Sequence, residues 1–509
     1  MIARIHSFAL MGIDASPIDV EVDISNGKQF YVIVGLPDAA VKESRERVQS
    51  AIQNSGFYFP HTRTVVNLAP AGVRKEGALF DLPIAVGILA AQGQIMPERI
   101  ADFAFAGELS LDGRLKPVNG ALSMAIGARE CGKRGIILPK HNAAEAAIVS
   151  EVDVIGLDSL QDVLNFLNGR LDEEPFQPNL ELHDAPEQPD DVDFRDIKGQ
   201  EMAKRAFEIA AAGGHNLVMI GPPGAGKTMI ARRLSTILPT MTLEESIETT
   251  KIHSIAGLTN NGASLITRRP FRSPHHTVSN IALIGGGSIP KPGEVSLAHH
   301  GVLFLDEMPE FSRPALEVLR QPLEDGVVHI ARASMSVEFP ARFILVGAMN
   351  PTQSGYAPDD AGGRPVSPAD TRKYLSRISG PLLDRIDIHL DVPKVDVKEL
   401  SRGAEGESSA SIRERVNAAR KIQTRRFKNV KGVHCNASMS PKQIKRLCPL
   451  DEDSRRTLEN AMEKRGLSAR AFDRIIKVAR TIADLDAAEN IQLPHIAEAI
   501  NYRSLDKYV

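Results

Sequence analysis

Cysteine is scarce in this 509-residue chain. The three present, Cys131, Cys435 and Cys448, are scattered and odd in number. That excludes a disulfide framework and a zinc knuckle, and a reducing compartment is the simple reading. Neither sign of charge is in excess: 61 Lys and Arg stand against 64 Asp and Glu, for a net charge of −3. A coat of basic charge is therefore excluded, while a local basic patch is not. Long apolar runs are missing as well. The longest, LPIAVGILAA from Leu82 to Ala91, falls short of the ~20 residues that a membrane span needs. The opening residues, MIARIHSFALMGIDAS, hold too short an apolar run for a signal peptide. The expectation is a cytoplasmic protein with no membrane partner.

A chain of this length exceeds one hydrophobic core, so several domains are expected. Residues 173–193, EEPFQPNLELHDAPEQPDDVD, are rich in proline and acid and lack lysine, arginine and apolar periodicity. They read as a linker that sets off a domain over 1–172. A second polar break, SRGAEGESSA, divides an α/β region over 194–400 from a helical region over 401–509.

After the linker, the short apolar run Asn216 to Ile220 reads as a buried strand. It runs into GPPGAGKT, the P-loop spacing. Gly221, Gly224 and Gly226 let backbone N–H groups close around phosphate oxygens. Lys227 adds a point charge at the β- and γ-phosphates, and Thr228 offers a hydroxyl to Mg²⁺. Downstream, GVLFLDE gives a second buried strand that ends in Asp306 and Glu307. Asp306 would hold Mg²⁺, and Glu307 would polarise the attacking water. A third apolar run, Phe343 to Ala348, leads to Asn350. An amide there either bonds the water or γ-phosphate or starts a turn before Pro351. Arg385, between Asp384 and Asp387, is either a surface ion pair or an arginine finger aimed at a neighbour's phosphate. Ala471, Ile475, Val478 and Ile482 share one side of an amphipathic helix, with Arg470 at its start, from where it could reach nucleotide. ATP and Mg²⁺ are the expected ligands.

In that order, these motifs resemble the AAA+ ATPases, more closely their magnesium chelatase-like branch, and within it the ComM/YifB family. The likeness runs along essentially all of the chain. It is carried by GQEMAKRAFEIAAAGGHNLVMIGPPGAGKT, FRSPHHTVSNIALIGGGSIPKPGEVSLAHHGVLFLDEMPEF, AMNP, SGPLLDRIDIHLDVP and LSARAFDRI. It implies that Asn350 is a sensor, Arg385 a finger acting in trans and Arg470 a second sensor. Many relatives place a CPCG motif after the Asn-Pro, where this chain has Thr352-Gln353-Ser354-Gly355, so no zinc is expected. Residues 1–172 resemble the Lon protease domain, a ribosomal-S5-like α/β fold, through stretches such as NLAPAGVRKEGALFDLPIAVGIL. Where that protease has its serine, this chain reads Glu76-Gly77-Ala78, and no lysine lies between Pro117 and Ala128. A Ser–Lys dyad has no candidates, so the domain is expected to be protease-inactive. Val41, Val48 and Ile52 have helical spacing ending near Gly56.

The stretch RRPFRSPHHT, Arg268 to Thr277, holds three arginines, two histidines and no acid. Its counterpart is a second phosphate, a neighbouring subunit or a polyanion such as DNA. Lys291 in a following Gly/Pro-rich insertion, and Arg332 near the turn of a candidate hairpin over Gly326 to Phe339, add further cations. Arg268, Arg269, Arg272, Lys291 and Arg332 are therefore candidate DNA contacts, gripping backbone rather than reading bases. Phe271 is the one aromatic in these insertions that could stack a base, and His275 and His276 read as packing or subunit contacts. The resemblance implies a hexameric, ATP-driven DNA translocase that promotes branch migration of single-stranded and branched DNA in natural transformation. The rival reading is a chelatase-like protein-remodelling motor without DNA activity.

Overall fold

A computed structural model describes residues 2–95, 97–177, 192–259, 265–287, 290–332, 335–352, 374–394, 406–430 and 432–505. Most of the expected linker, and the chain beyond Thr352 where zinc ligation was considered, lie outside them. The chain forms two compact units, one of Met1–His183 with Ser246–Ile266, the other of Asp184–Glu245 with Thr267–Val509.

In the first unit, β1 (Ile2–Met11), β2 (Asp14–Ser25), β3 (Phe30–Val34), β4 (Arg63–Ala69), β5 (Phe103–Phe105), β6 (Gly135–Pro139) and β7 (Asp153–Leu157) make one mixed sheet, ordered β3-β4-β2-β1-β5-β6-β7. Alternation sets its buried face: Ile18, Val20 and Val22 of β2 point to the core while their neighbours do not. The helix Ala39–Asn54 starts where the Asp38 carboxylate accepts from the Val41 N–H at 2.8 Å, and it buries Val41, Val48 and Ile52. The run at Leu82 to Ala91 forms a helix, Asp81–Ala91, that is buried nearly all round. An all-apolar helix is what a core position requires, and among the described residues no helix is long and apolar enough to cross a membrane. At the position of the protease serine, Gly77 turns with φ 80° into a 3-10 turn, Ala78–Phe80.

Ser246–Ile266, which the sequence placed within 194–400, groups with this first unit. The buried Glu145 carboxylate holds it, accepting from the Leu122 N–H (2.9 Å), the Ser254 hydroxyl and the Thr259 hydroxyl (3.5 Å). Burial pushes the Glu145 carboxyl up, and these donors pull it back. Lys251 adds an ion pair to Asp14 at 2.6 Å.

The second unit is built on a parallel sheet of β8 (Leu217–Ile220), β9 (Phe271–Arg272), β12 (Val302–Leu305), β15 (Ile344–Met349) and β16 (Ile388–Asp391), ordered β9-β12-β15-β8-β16. Its central strands are apolar without alternation because both faces are covered. Two hairpins leave this frame: β10 (Gly285–Gly286) with β11 (Lys291–Pro292), and β13 (Val327–Arg332) with β14 (Met335–Pro340). Region 401–509 is helical, and Ile412, Val416, Ile475, Val478, Ile482 and Ile496 share one core with Phe207, Met219 and Phe304. The helix Ala469–Leu485 is capped by Ser468 and buries Ala471, Ile475, Val478 and Ile482, the side the spacing marked out.

Candidate nucleotide site and basic hairpins

The carboxyl ends of parallel strands are where open α/β sheets bind ligands, and here three of them converge. The P-loop leaves β8. Gly221 must be glycine, because a Cβ there would stand 2.1 Å from the Val392 carbonyl oxygen. Gly224 (φ 78°) and Gly226 (φ 83°) take the left-handed turns that curl the loop before the helix Lys227–Ile237. Lys227 folds back over the loop, donating to the carbonyls of Gly221 (2.7 Å) and Pro222 (3.0 Å) and to Asn350 Oδ1 (3.0 Å). Burial lowers its pKa, while Asp306 and Glu307 oppose the shift. Thr228 Oγ1 donates to Asp306 Oδ2 at 2.7 Å, which brings a hydroxyl and a carboxylate together at the end of β12. Asp306 Oδ1 accepts from the Glu307 N–H at 3.0 Å. Glu307 is exposed, on a left-handed backbone with φ 50° and ψ 45°. An amine over a glycine-rich loop, a helix N-terminus and this oxygen pair together fit a nucleoside triphosphate and its Mg²⁺.

Arg385 and Arg470 lie elsewhere. Arg385 precedes β16, and Leu217 pairs with Ile388, so Arg385 stands at the amino ends of the strands. Asn216 fixes it there by donating to its carbonyl at 3.2 Å. Five residues of strand, rising ~3.3 Å each, separate Asn216 from Gly221, about 16 Å. Arg470 stands at the same edge, 3.8 Å from Asp384. Its helix starts beside Arg385, in the same cleft. Arg385 pairs with Glu324 and donates to the Pro381 carbonyl (2.8 Å). Both arginines line one cleft with Arg474, Asp387 and Lys477. Burial pushes the Asp387 carboxyl up, but Arg474 and His215 outweigh it and hold it well below the usual range. The Nε–H groups of Arg385 and Arg474 are buried without an acceptor among the described residues.

The basic stretch divides. Arg269 is not a surface cation: its guanidinium donates to the carbonyls of Pro239 (2.7 Å), His300 (2.8 Å) and Thr240 (3.3 Å) and to the Glu245 carboxylate (2.7 Å). With its donors engaged and its side chain 10% exposed, it is removed from the DNA candidates. Arg272 forks onto Glu294 through two 2.7 Å bonds, and Arg268 is half-buried. Phe271 packs its ring 5.9 Å from that of Phe304, so it is no stacking platform. Lys291 and Arg332 are exposed, and Arg332 Nη2 lies 3.5 Å from where a Cβ on Gly286 would be. Arg332 of one hairpin thus reaches Gly286 of the other, the residue paired with Lys291. His276, read from sequence as a packing or subunit contact, packs against the rings of His275 and Phe311 and also lies near Glu307, Nδ1 to Oε2 3.9 Å. No spacing rule could have found it, because the contact depends on β9 and β12 lying side by side.

Comparison with known proteins adds the following. Family models described as magnesium chelatase subunit ChlI match residues 193–400, as subunit ChlI of Mg-chelatase residues 20–142, and as its C-terminal part residues 406–503. The chain is 46% identical to Competence protein ComM of Haemophilus influenzae, covering 99% of this chain and 98% of that protein. It is 45% identical to Uncharacterized protein YifB of Salmonella typhimurium, with the same coverage. A Lon protease of Chloroflexus aurantiacus is 32% identical over 161 residues, 29% of this chain and 19% of that protein.

Proposed function

This chain belongs to the magnesium chelatase-like AAA+ family that includes ComM and YifB, and on that premise we propose that it is a ring-forming, ATP-driven DNA translocase that promotes branch migration. Lys227 and the P-loop hold the phosphates. Thr228 and Asp306 are the residues that would hold Mg²⁺, which neutralises phosphate charge when bound. Glu307 polarises the attacking water, and Asn350 orients it. The observation that carries the reading is the position of Arg385, about 16 Å of strand from its own P-loop. It can meet a γ-phosphate only on a second copy, and Arg470 stands beside it. A closed ring, six-membered in this reading, provides that neighbour at every site. The free Nε–H donors of Arg385 and Arg474 suit an incoming anion.

Lys291 and Arg332, both exposed on these hairpins, supply the grip on DNA backbone. Multiplied around a ring, a few such contacts bind without reading sequence. The relative named for competence supports a role in integrating incoming single strands. The test is strand exchange on a four-way junction, where ATP-dependent branch migration is expected and is lost on Glu307→Gln. A second reading, a protein-remodelling motor without DNA activity, is favoured by the internal pairing of Arg269 and Arg272, which leaves fewer cations to the surface. An ATPase indifferent to DNA would decide for it.

A further inference from the structure

Charge is spread unevenly in the helical region. From Arg415 to Arg446 the chain holds ten Lys and Arg and no Asp or Glu, although the two signs nearly balance in the whole protein. Three of the ten are engaged within the fold. Arg415 pairs with Glu208 and Glu407, Arg426 pairs with Asp484, and Arg420 donates to the Ala211 carbonyl at 3.0 Å. Lys421, Arg425, Lys428, Lys442, Lys445 and Arg446 are exposed, and none has a carboxylate partner among the described residues.

Two helices gather these six. The helix Ser409–Phe427 turns Ile412, Val416, Ala419, Gln423 and Phe427 inward. At 3.6 residues per turn, Lys421, Arg425 and Lys428 fall within a sector of about 60° on the opposite side, along about 10 Å of axis. The next helix, Pro441–Leu447, buries Ile444 and turns Lys442, Lys445 and Arg446 outward. It starts close to the first, because Asn436, in the turn before it, donates its N–H to Gln423 Oε1 (3.0 Å) and accepts from Arg426 (3.0 Å). Like charges held together raise the local potential, and a polyanion that meets them sheds counterions. Platforms for single strands stack bases on aromatic side chains. The one Phe, Tyr or Trp between Arg415 and Arg446 is Phe427, and it is buried. What this face offers is therefore suited to the phosphates of a duplex. We propose that the helices Ser409–Phe427 and Pro441–Leu447 form a second nucleic-acid site, which holds a duplex arm by its phosphate backbone while the hairpin cations grip the single strand. That role rests on the proposed DNA motor, but the binding itself does not.

The experiment titrates a fluorescent blunt duplex, and a single strand of the same sequence, at several salt concentrations. It compares full-length wild type with K421A/R425A/K428A, K442A/K445A/R446A and the charge-conserving K421R/R425K/K428R, and it measures ATP turnover without DNA for each. A lost phosphate contact lowers the salt slope by ~0.9, so each alanine triple should flatten the duplex slope by about two to three units. The single strand should be less affected, and turnover without DNA should match wild type. The charge-conserving triple should bind duplex as wild type does, which separates lost charge from lost structure. An unchanged duplex slope in either alanine triple overturns the proposal and leaves the DNA motor standing, as does a charge-conserving triple that fails like its alanine counterpart. Turnover lost without DNA while duplex binding persists also overturns it, and makes the face a contact between copies. If wild type binds neither duplex nor single strand, the DNA motor falls with it.

Discussion

Glu307 and Lys227 divide the chemistry between water and phosphate, and their substitutions should separate accordingly. Lys227→Ala removes the amine that spans the loop, so binding of a fluorescent ATP analogue should be lost. Glu307→Gln keeps the shape and removes the base. It should bind nucleotide as wild type does and hydrolyse it on the order of 10²-fold or more slowly; an unchanged single-turnover rate would strip Glu307 of its role. Spacing alone made Lys227 legible, because a P-loop is a local device whose glycines, lysine and threonine act within eight positions, Gly221 to Thr228; Glu307 was legible only as the end of a later apolar strand. Arg269 was not legible. Its acceptors are backbone carbonyls about 30 positions away in sequence, at Pro239, Thr240 and His300, and a carbonyl leaves no mark in a sequence.

Elements decide where cations can act. Lys291 and Arg332 belong to separate hairpins. Replacing either with alanine should weaken single-stranded DNA binding for all sequences alike and flatten its salt dependence by about one unit of slope each. A sequence-selective loss, measured by titration at several salt concentrations, would contradict backbone gripping. The start of β16 holds a different kind of charge. Asp387 is buried between Arg474 and His215, and Asp387→Asn should cost about 3–5 kcal/mol by leaving Arg474 uncompensated, read by denaturant unfolding. Because its folded pKa lies below the ordinary carboxylate value of about 4, its contribution is complete above that pH. The contribution is lost as pH falls through the depressed folded value. Thermal melts should thus show the wild type converging on Asp387→Asn in strong acid, not at neutral pH. The strands were legible because runs such as Val302–Leu305 are covered on both faces and carry no polar residue. The order β9-β12-β15-β8-β16 was not, since it is settled by pairing across the chain.

At the scale of the molecule, one chain has a P-loop at one end of its sheet and arginines at the other. Arg385→Ala should slow hydrolysis on the order of 10³-fold while ATP binding persists. Mixing it with Lys227→Ala should restore part of the turnover, because each chain supplies what its neighbour lacks; two silent variants that stay silent together would refute the shared site. Sequence drew the broad division at the acidic segment, yet it could not assign Ser246–Ile266 to the first unit. That segment is held by Glu145, more than a hundred residues earlier, through hydrogen bonds that no local pattern encodes. In the proposed function, DNA drives this motor through its cations. The most direct measurement is ATP hydrolysis by the purified protein, with and without single-stranded and four-way-junction DNA, at low and high salt. The prediction is strong stimulation at low salt that fades as salt rises. No stimulation at either salt would contradict it and leave a motor that works on protein.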